Sequence, residues 1–538
     1  MEKAGWPWLL ILLLAGLPVF AVAEPAPATA EFAALVQQLD TENFAQKSQA
    51  VDRIARSAHP QTVLILESML AGSLQSRRSD RRIVIVNPAG RDFMLIDALS
   101  GEELGLAGRR DLNRISINNA LRSQIRGTLA RISLNDPNPA ARLAAVRRLT
   151  TDLDAEILAL LENHAPQETD ARVQAAIGVA KALSQLDADD PALRMAAIEQ
   201  LSGNLQAQVR NRLRAVSTQD PDAEVRAAAA EVLVHIQRQL QYYRLAENVF
   251  FGLSLGSVLL LAAIGLAITF GVMGVINMAH GELMMVGAYT TYMIQQLFPG
   301  AIEYSVLLAI PTAFVVAGLL GIAIERGVIR FLYGRPLETL LATFGISLIL
   351  QQLARTLISA QNVPVISPSW MSGSWQINDA LALTWNRLYI LIFAIMVFAA
   401  LLLVLKHTRL GLKVRAVTQN RDMARAMGIR TAWVDALTFG LGAGVAGVAG
   451  VALSQLTNVG PNLGQSYIID SFLVVVFGGV GNLWGTLVGA FSLGVLNKFI
   501  EPWSGAVLAK IVVLVLVILF IQRYPRGLFP QKGRAAGG

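Results

Sequence analysis

The 538-residue chain contains no cysteine, five histidines and few charges, Asp, Glu, Lys and Arg together making 15% of it. Without cysteine there is no disulfide, no thiolate metal site and no thiol nucleophile. The histidines (59, 164, 235, 280 and 407) are scattered and form no H-E-x-x-H pair. No Gly-Lys dipeptide occurs, so the chain has no Walker A phosphate loop and does not hydrolyse nucleotide by that route. Soluble domains carry roughly 25% charged residues. Here hydrophobic residues reach 54% and mean hydropathy is +0.49, an apolar excess that must face lipid or other helices.

The excess is concentrated after Glu247. The first segment, Gly252–Gly271, has no charge, and twenty helical residues at about 1.5 Å each span the roughly 30 Å of a hydrocarbon core. No water there satisfies a bare backbone, so such segments must be helices. Spans are expected near 250–272, 276–298, 304–325, 337–359, 387–405, 433–456, 467–481, 484–499 and 505–522. The seventh and eighth are short and glycine-interrupted, which allows half-spans or one broken unit. Loop 406–430 holds seven Lys/Arg against Asp422 alone, and loop 326–335 adds Arg326, Arg330 and Arg335. Both are expected in the cytoplasm. Loop 360–386 has no Lys or Arg and is expected outside. The net charge of +7 fits this loop bias and forms no basic stripe with interleaved aromatics, so nucleic acid is not an expected partner.

Residues 1–23 read as an export signal, with Lys3, the apolar run Leu9–Phe20 and cleavage after Ala23 in the small-x-small pattern Ala21-Val22-Ala23; an uncleaved anchor helix is the alternative. Counting back from the basic loops also puts residues 24–246 outside. Residues 24–245 form an exported, mainly helical domain, with one short hairpin expected between Arg82–Val86 and Phe93–Ile96. From about Asn118 a weak repeat emerges. Asp136-Pro137, Asp190-Pro191 and Asp220-Pro221 each precede an Arg/Ala-rich run, with an unpunctuated copy at Asp170–Ala176. Asp caps helix starts and Pro suits a first turn. Spacings near 30 residues suggest HEAT-like helix pairs, as a partner-binding array or a structural cap.

Several enzyme motifs match out of context. Gly252–Gly256 fits G-x-S-x-G and Gly442–Gly447 fits G-x-G-x-x-G, yet both lie inside lipid-length helices without the strand-turn-helix setting those sites need. Small-residue helix packing explains them better. His280-Gly281-Glu282 looks like half of a zinc deaminase site whose cysteine half cannot exist here. What remains is a polar cluster, Asn277, His280 and Glu282, within GVINMAHGELMMVGAY (274–289). Ionisable groups at membrane depth are costly and face a cavity or packed interior; a solvated cytoplasmic turn is the alternative.

This segment, LATFGISLILQQ (341–352) and VVVFGGVGNLWGTLVGA (474–490) together resemble the permeases of branched-chain amino-acid-type ATP-binding cassette importers over residues 248–528. A long exported region ahead of the permease resembles the family's urea-transport branch. The resemblance implies an all-α polytopic inner-membrane permease of about 8–10 transmembrane helices, with the N-terminal domain periplasmic and residues 529–538 a cytoplasmic tail. It implies no catalysis and no cofactor, ATP being bound by two cytoplasmic partner subunits. A second homologous permease and an extracytoplasmic solute-binding protein are implied as well. Arg415, Ala416, Asn420, Ala424 and Gly428 look like a diverged ATPase-coupling segment. The expected solute is urea or a short amide, hydrogen-bonded by Asn277, His280, Glu282, Thr343, Gln351 and Gln352. Branched-chain amino acids are the alternative within the family, and a passive channel or a sensor are readings outside it.

Overall fold

The computed structural model describes residues 27–529 apart from 58, 90, 91 and 152. The proposed signal, its cleavage at Ala23 and residues 530–538 of the tail lie outside the described residues. The chain divides into two compact units, with the boundary between Val234 and His235.

The first unit opens with helices α1 (Pro27–Gln37), α2 (Phe44–Arg56) and α3 (Thr62–Ala71). Asn43 starts α2 by accepting from the Ala45 and Gln46 amides, and Gly72, at φ +74°, ends α3 in the left-handed conformation that closes a helix. Strands β1 (Leu74–Arg77), β2 (Ile83–Ala89), β3 (Asp92–Asp97), β4 (Glu103–Ala107) and β5 (Leu112–Arg114) follow. They pair antiparallel in the order β4-β3-β2-β1-β5. The expected hairpin is therefore β2–β3 at the centre of a five-stranded sheet. The other three strands are only three to five residues long, so they carry little hydrophobic alternation. Leu74, Ile83 and Ile85 on one face join Phe32, Val51, Ile65 and Ile125 in a single core.

Six helices follow: α4 (Asn119–Ser133), α5 (Pro139–Thr151), α6 (Ala155–His164), α7 (Ala171–Gln185), α8 (Pro191–Gln200) and α9 (Ala207–Gln219). Asp170 and Asp190 cap α7 and α8 as the repeat pattern predicts. At the other two copies the cap lies two residues later, on Asn138 and Asp222, because Pro137 and Pro221 stand outside the helices. In three of the four copies one arginine does repeated work. The Nη1 of Arg142, Arg194 and Arg226 donates to two carbonyls of the preceding turn, those of Asp136/Pro137, Ala188/Asp189 and Asp220/Pro221. Arg142 also forks onto Glu168 at 2.8 Å, and Arg194 pairs with Asp220 at 2.9 Å. Each carboxylate sits 26 residues downstream of its arginine. The Arg142 fork and two backbone amides hold the Glu168 carboxyl down at about 2.

Helix α10 (Ala223–Met273) leads into the second unit. Its further helices are α11 (His280–Leu297), α12 (Ile302–Gly327), α13 (Pro336–Leu357), α14 (Trp385–His407), α15 (Arg409–Gln419), α16 (Arg421–Ala426), α17 (Thr431–Ser454), α18 (Leu463–Gly478), α19 (Leu483–Ser504) and α20 (Ala506–Arg523). Before α14, β6 (Ser374–Asn378) and β7 (Leu381–Thr384) form a hairpin. A helix stands in each of the nine expected spans. Among the described residues, seven helices are long and apolar enough to cross a membrane. The other two are α11, 18 residues starting four positions later than expected, and α18, only 16 residues long.

Helix α17 lies at the centre of this unit, almost wholly buried. Its glycines let neighbouring backbones touch. A Cβ at Gly450 would stand 1.9 Å from the Met284 carbonyl oxygen of α11, and one at Gly287 would stand 1.9 Å from that of Gly447. Gly442 meets Gly265 of α10 at 2.7 Å by the same measure, and Gly447 meets Ala313 of α12 at 2.6 Å. The two out-of-context glycine motifs thus lie at helix crossings, as small-residue packing requires.

Candidate functional site

After Met273 the chain leaves the helical path at Gly274, φ +67°, and stays non-helical and largely buried until His280. Backbone inside a bundle must find internal partners. Asn277 Oδ1 accepts from the Ala279 amide at 3.0 Å, and Thr343 Oγ1 of α13 accepts from the Met278 amide at 3.1 Å. His280 Nε2 then reaches the Ala262 carbonyl of α10 at 2.9 Å. Asn277, His280 and Glu282 are 0%, 0% and 1% exposed, which removes the alternative of a solvated turn.

Glu282, in the first turn of α11, is the centre of the cluster. Its Oε1 accepts from Ser347 Oγ at 2.7 Å and from Gln351 Nε2 at 2.8 Å. Its Oε2 is buried and accepts no hydrogen bond. That oxygen faces the start of α18, where a Cβ on Gly464 would come within 2.4 Å of it. Gly281 and Gly464 touch backbone to backbone, so two helix N-termini converge on one carboxylate. Ala262 lies eleven residues before the end of α10 and Ser347 eleven residues after the start of α13. At about 1.5 Å per residue both are ~16 Å along their helices, near half the thickness of a hydrocarbon core. Broken helices meeting at the midplane are how many transporters build a binding site.

The expected pathway residues therefore separate. Asn277, His280, Glu282, Thr343 and Gln351 come together. Gln352 does not: it is exposed on the other side of α13 and bonds only Thr356, because one residue turns a helix by about 100°. Ser347 is the member that sequence reasoning missed. Thr339, Thr343, Ser347 and Gln351 repeat every four residues on α13 and are all buried, so a polar stripe in an apolar helix was the available signal.

Elsewhere, α15 and α16 carry the expected coupling residues. Asn420 Oδ1 caps α16 by accepting from the Met423 amide, and Gly428 turns the chain at φ +84°. Ala424 faces inward with Val414, Val417 and Val434, Ala416 packs against the same cluster, and Arg415 is exposed. Leu412, Met423 and Met427 point outward, 60–78% exposed. Arg421 is anchored to the bundle, paired with Asp435 of α17 and lying 4.0 Å over the Tyr333 ring.

A family profile described as "Branched-chain amino acid transport system / permease component" matches residues 248–521. The high-affinity branched-chain amino acid transport system permease protein LivH of Salmonella typhimurium is 32% identical over 298 residues, covering 54% of this chain and 96% of that protein. LivH of Escherichia coli K12 is 31% identical over the same extent. BraD of Pseudomonas aeruginosa, a permease protein of the same type of system, is 28% identical over 298 residues, again 54% of this chain and 96% of that protein. No solved structure matches the chain significantly.

Proposed function

The chain belongs to the branched-chain amino acid transport system permease-component family, and from that premise we propose that it carries branched-chain amino acids across the bacterial inner membrane as the permease subunit of an ATP-binding cassette importer. Partner ATPases supply the energy and an extracytoplasmic binding protein delivers the solute. A second homologous permease completes the pathway, two ATPases drive it, and residues 24–245 lie on the delivery side. The observation that carries this reading is Glu282 Oε2, a buried acceptor without a partner where α11 and α18 meet. A permeating ammonium group supplies N–H donors, and a charge-assisted hydrogen bond there is worth about 1.5–3 kcal/mol. Closure of the ATPases moves α15 and α16, and through Arg421 and Asp435 that motion is transmitted to α17, which moves with the helices packed on its glycines relative to α13.

Urea is the second reading. The roughly 240 residues ahead of the matched region favour it, since the LivH relatives cover only 54% of this chain. Urea also offers only N–H donors and one carbonyl, which Glu282 and Gln351 suit. The test is ATP-driven uptake by the complete importer in proteoliposomes, with labelled leucine and labelled urea supplied separately. Leucine uptake abolished by Glu282→Gln supports the main reading. Urea uptake without leucine uptake replaces it, and uptake that survives ATP depletion refutes both in favour of a channel.

A further inference from the structure

We propose that a second polar cavity, between α18, α19 and α20, is a binding site for a zwitterionic amino acid, which it holds by exchanging two internal ion pairs for the solute's two charges. The cavity measures about 180 Å³. That is below the roughly 300–1,000 Å³ of sites for drug-sized ligands and suits one small solute. Asp470 of α18 pairs with Lys510 of α20 at 3.2 Å, and Lys498 pairs with Glu501 within α19 at 2.5 Å. All four side chains line the same void. All four lie within seven residues of a helix end, Asp470 after the start of α18, Lys498 and Glu501 before the end of α19 and Lys510 after the start of α20, so the void opens toward one surface of the membrane.

Fastening explains these pairs poorly. The Lys510 side chain is 51% exposed and that of Glu501 31%, and ion pairs open to that degree contribute about 0–1 kcal/mol. Recognition explains them better. Two carboxylates and two ammonium groups sum to zero, so a zwitterion enters without leaving net charge buried. Its α-ammonium takes Asp470 or Glu501 and its α-carboxylate takes Lys498 or Lys510. When Asp470 turns to the solute, Lys510 keeps a resting place over the Tyr467 ring, 5.9 Å from its centroid. The other wall of the cavity is aliphatic, formed by Leu259, Leu493 and Val513, and receives the side chain of the solute.

This inference rests on the amino-acid reading proposed above, and the absence of cysteine makes it directly testable. A single thiol placed on the cavity wall by Asn497→Cys is labelled with a maleimide in the assembled importer, and the mass of this chain is followed. Leucine at about four times its dissociation constant is expected to slow labelling about five-fold. 4-Methylpentanoate, which lacks the ammonium, and leucinamide, which lacks the carboxylate, are expected to leave the rate unchanged. Ala506→Cys serves as the second reporter should the first fail to assemble. Labelling that ignores leucine while the unmodified importer transports it overturns the site and leaves the transport reading intact. Protection by leucine without leucine uptake upholds the site and removes the transport reading. Equal protection by all three compounds overturns recognition of a zwitterion.

Discussion

Gly287→Ala is the sharpest test of how this bundle is built. The added Cβ would stand 1.9 Å from the Gly447 carbonyl oxygen, whereas ordinary contact begins at 3.4 Å. Helices α11 and α17 must therefore part by about 1.5 Å, and the obstacle is backbone that no rotamer change can move aside. Overpacking of this kind costs about 1–3 kcal/mol, and more where neither side yields. Gly345→Ala is the matched control, since nothing lies within 4 Å of its Cβ on α13. Alanine is the better helix former by about 1 kcal/mol, so the control should be neutral or slightly stabilising. Thermal unfolding of the purified protein in detergent reads both, and ATP-driven uptake in proteoliposomes reads the functional consequence. Gly287→Ala is expected to melt several degrees lower and lose most uptake, with Gly345→Ala unchanged. Equal melting temperatures for the two variants would refute backbone contact between α11 and α17.

Three further outcomes are expected. Gln351→Leu removes one of the two donors to the buried Glu282, a loss of about 1.5–3 kcal/mol that should lower uptake at least ten-fold, while Gln352→Leu on the exposed face leaves it unchanged. Arg421→Ala leaves Asp435 buried without its cation, at a cost of about 3–5 kcal/mol; recovery of the partner ATPase on affinity purification should fall. In the N-terminal unit, Glu168 has a folded pKa of about 2, below its ordinary value, so its stabilisation is complete above the normal carboxylate range and lost as pH falls from there towards 2. Hydrogen exchange across α5–α7 in the full chain should accelerate over that acid interval, and Glu168→Gln should abolish the dependence.

The helices of the membrane half were legible because hydropathy and length act locally, and each expected span acquired a helix near its position, seven of them long and apolar enough to cross a membrane among the described residues. The late start of α11 was not, since an extended buried stretch such as 274–279 depends on Thr343 and Asn277 to satisfy its amides. β1 and β5 escaped because LQSR and LNR are too short and polar to carry a period. Asp470, Lys498, Glu501 and Lys510 stand out only once three helices bring them around one cavity. The glycine pairs of α17 were correctly assigned to packing, but which helices they join is a tertiary fact.

That glycine column limits how the permease can move. Where main chains abut with no side chains between them, there is no compliant layer to absorb a small displacement. α10, α11, α12 and α17 are therefore expected to move as one body, together with α18 and α19, whose glycines meet α11 and α10 in the same way, and α13, α14 and α20 are left around it. Glu282 stands on that body, bonded across to Ser347 and Gln351 of α13.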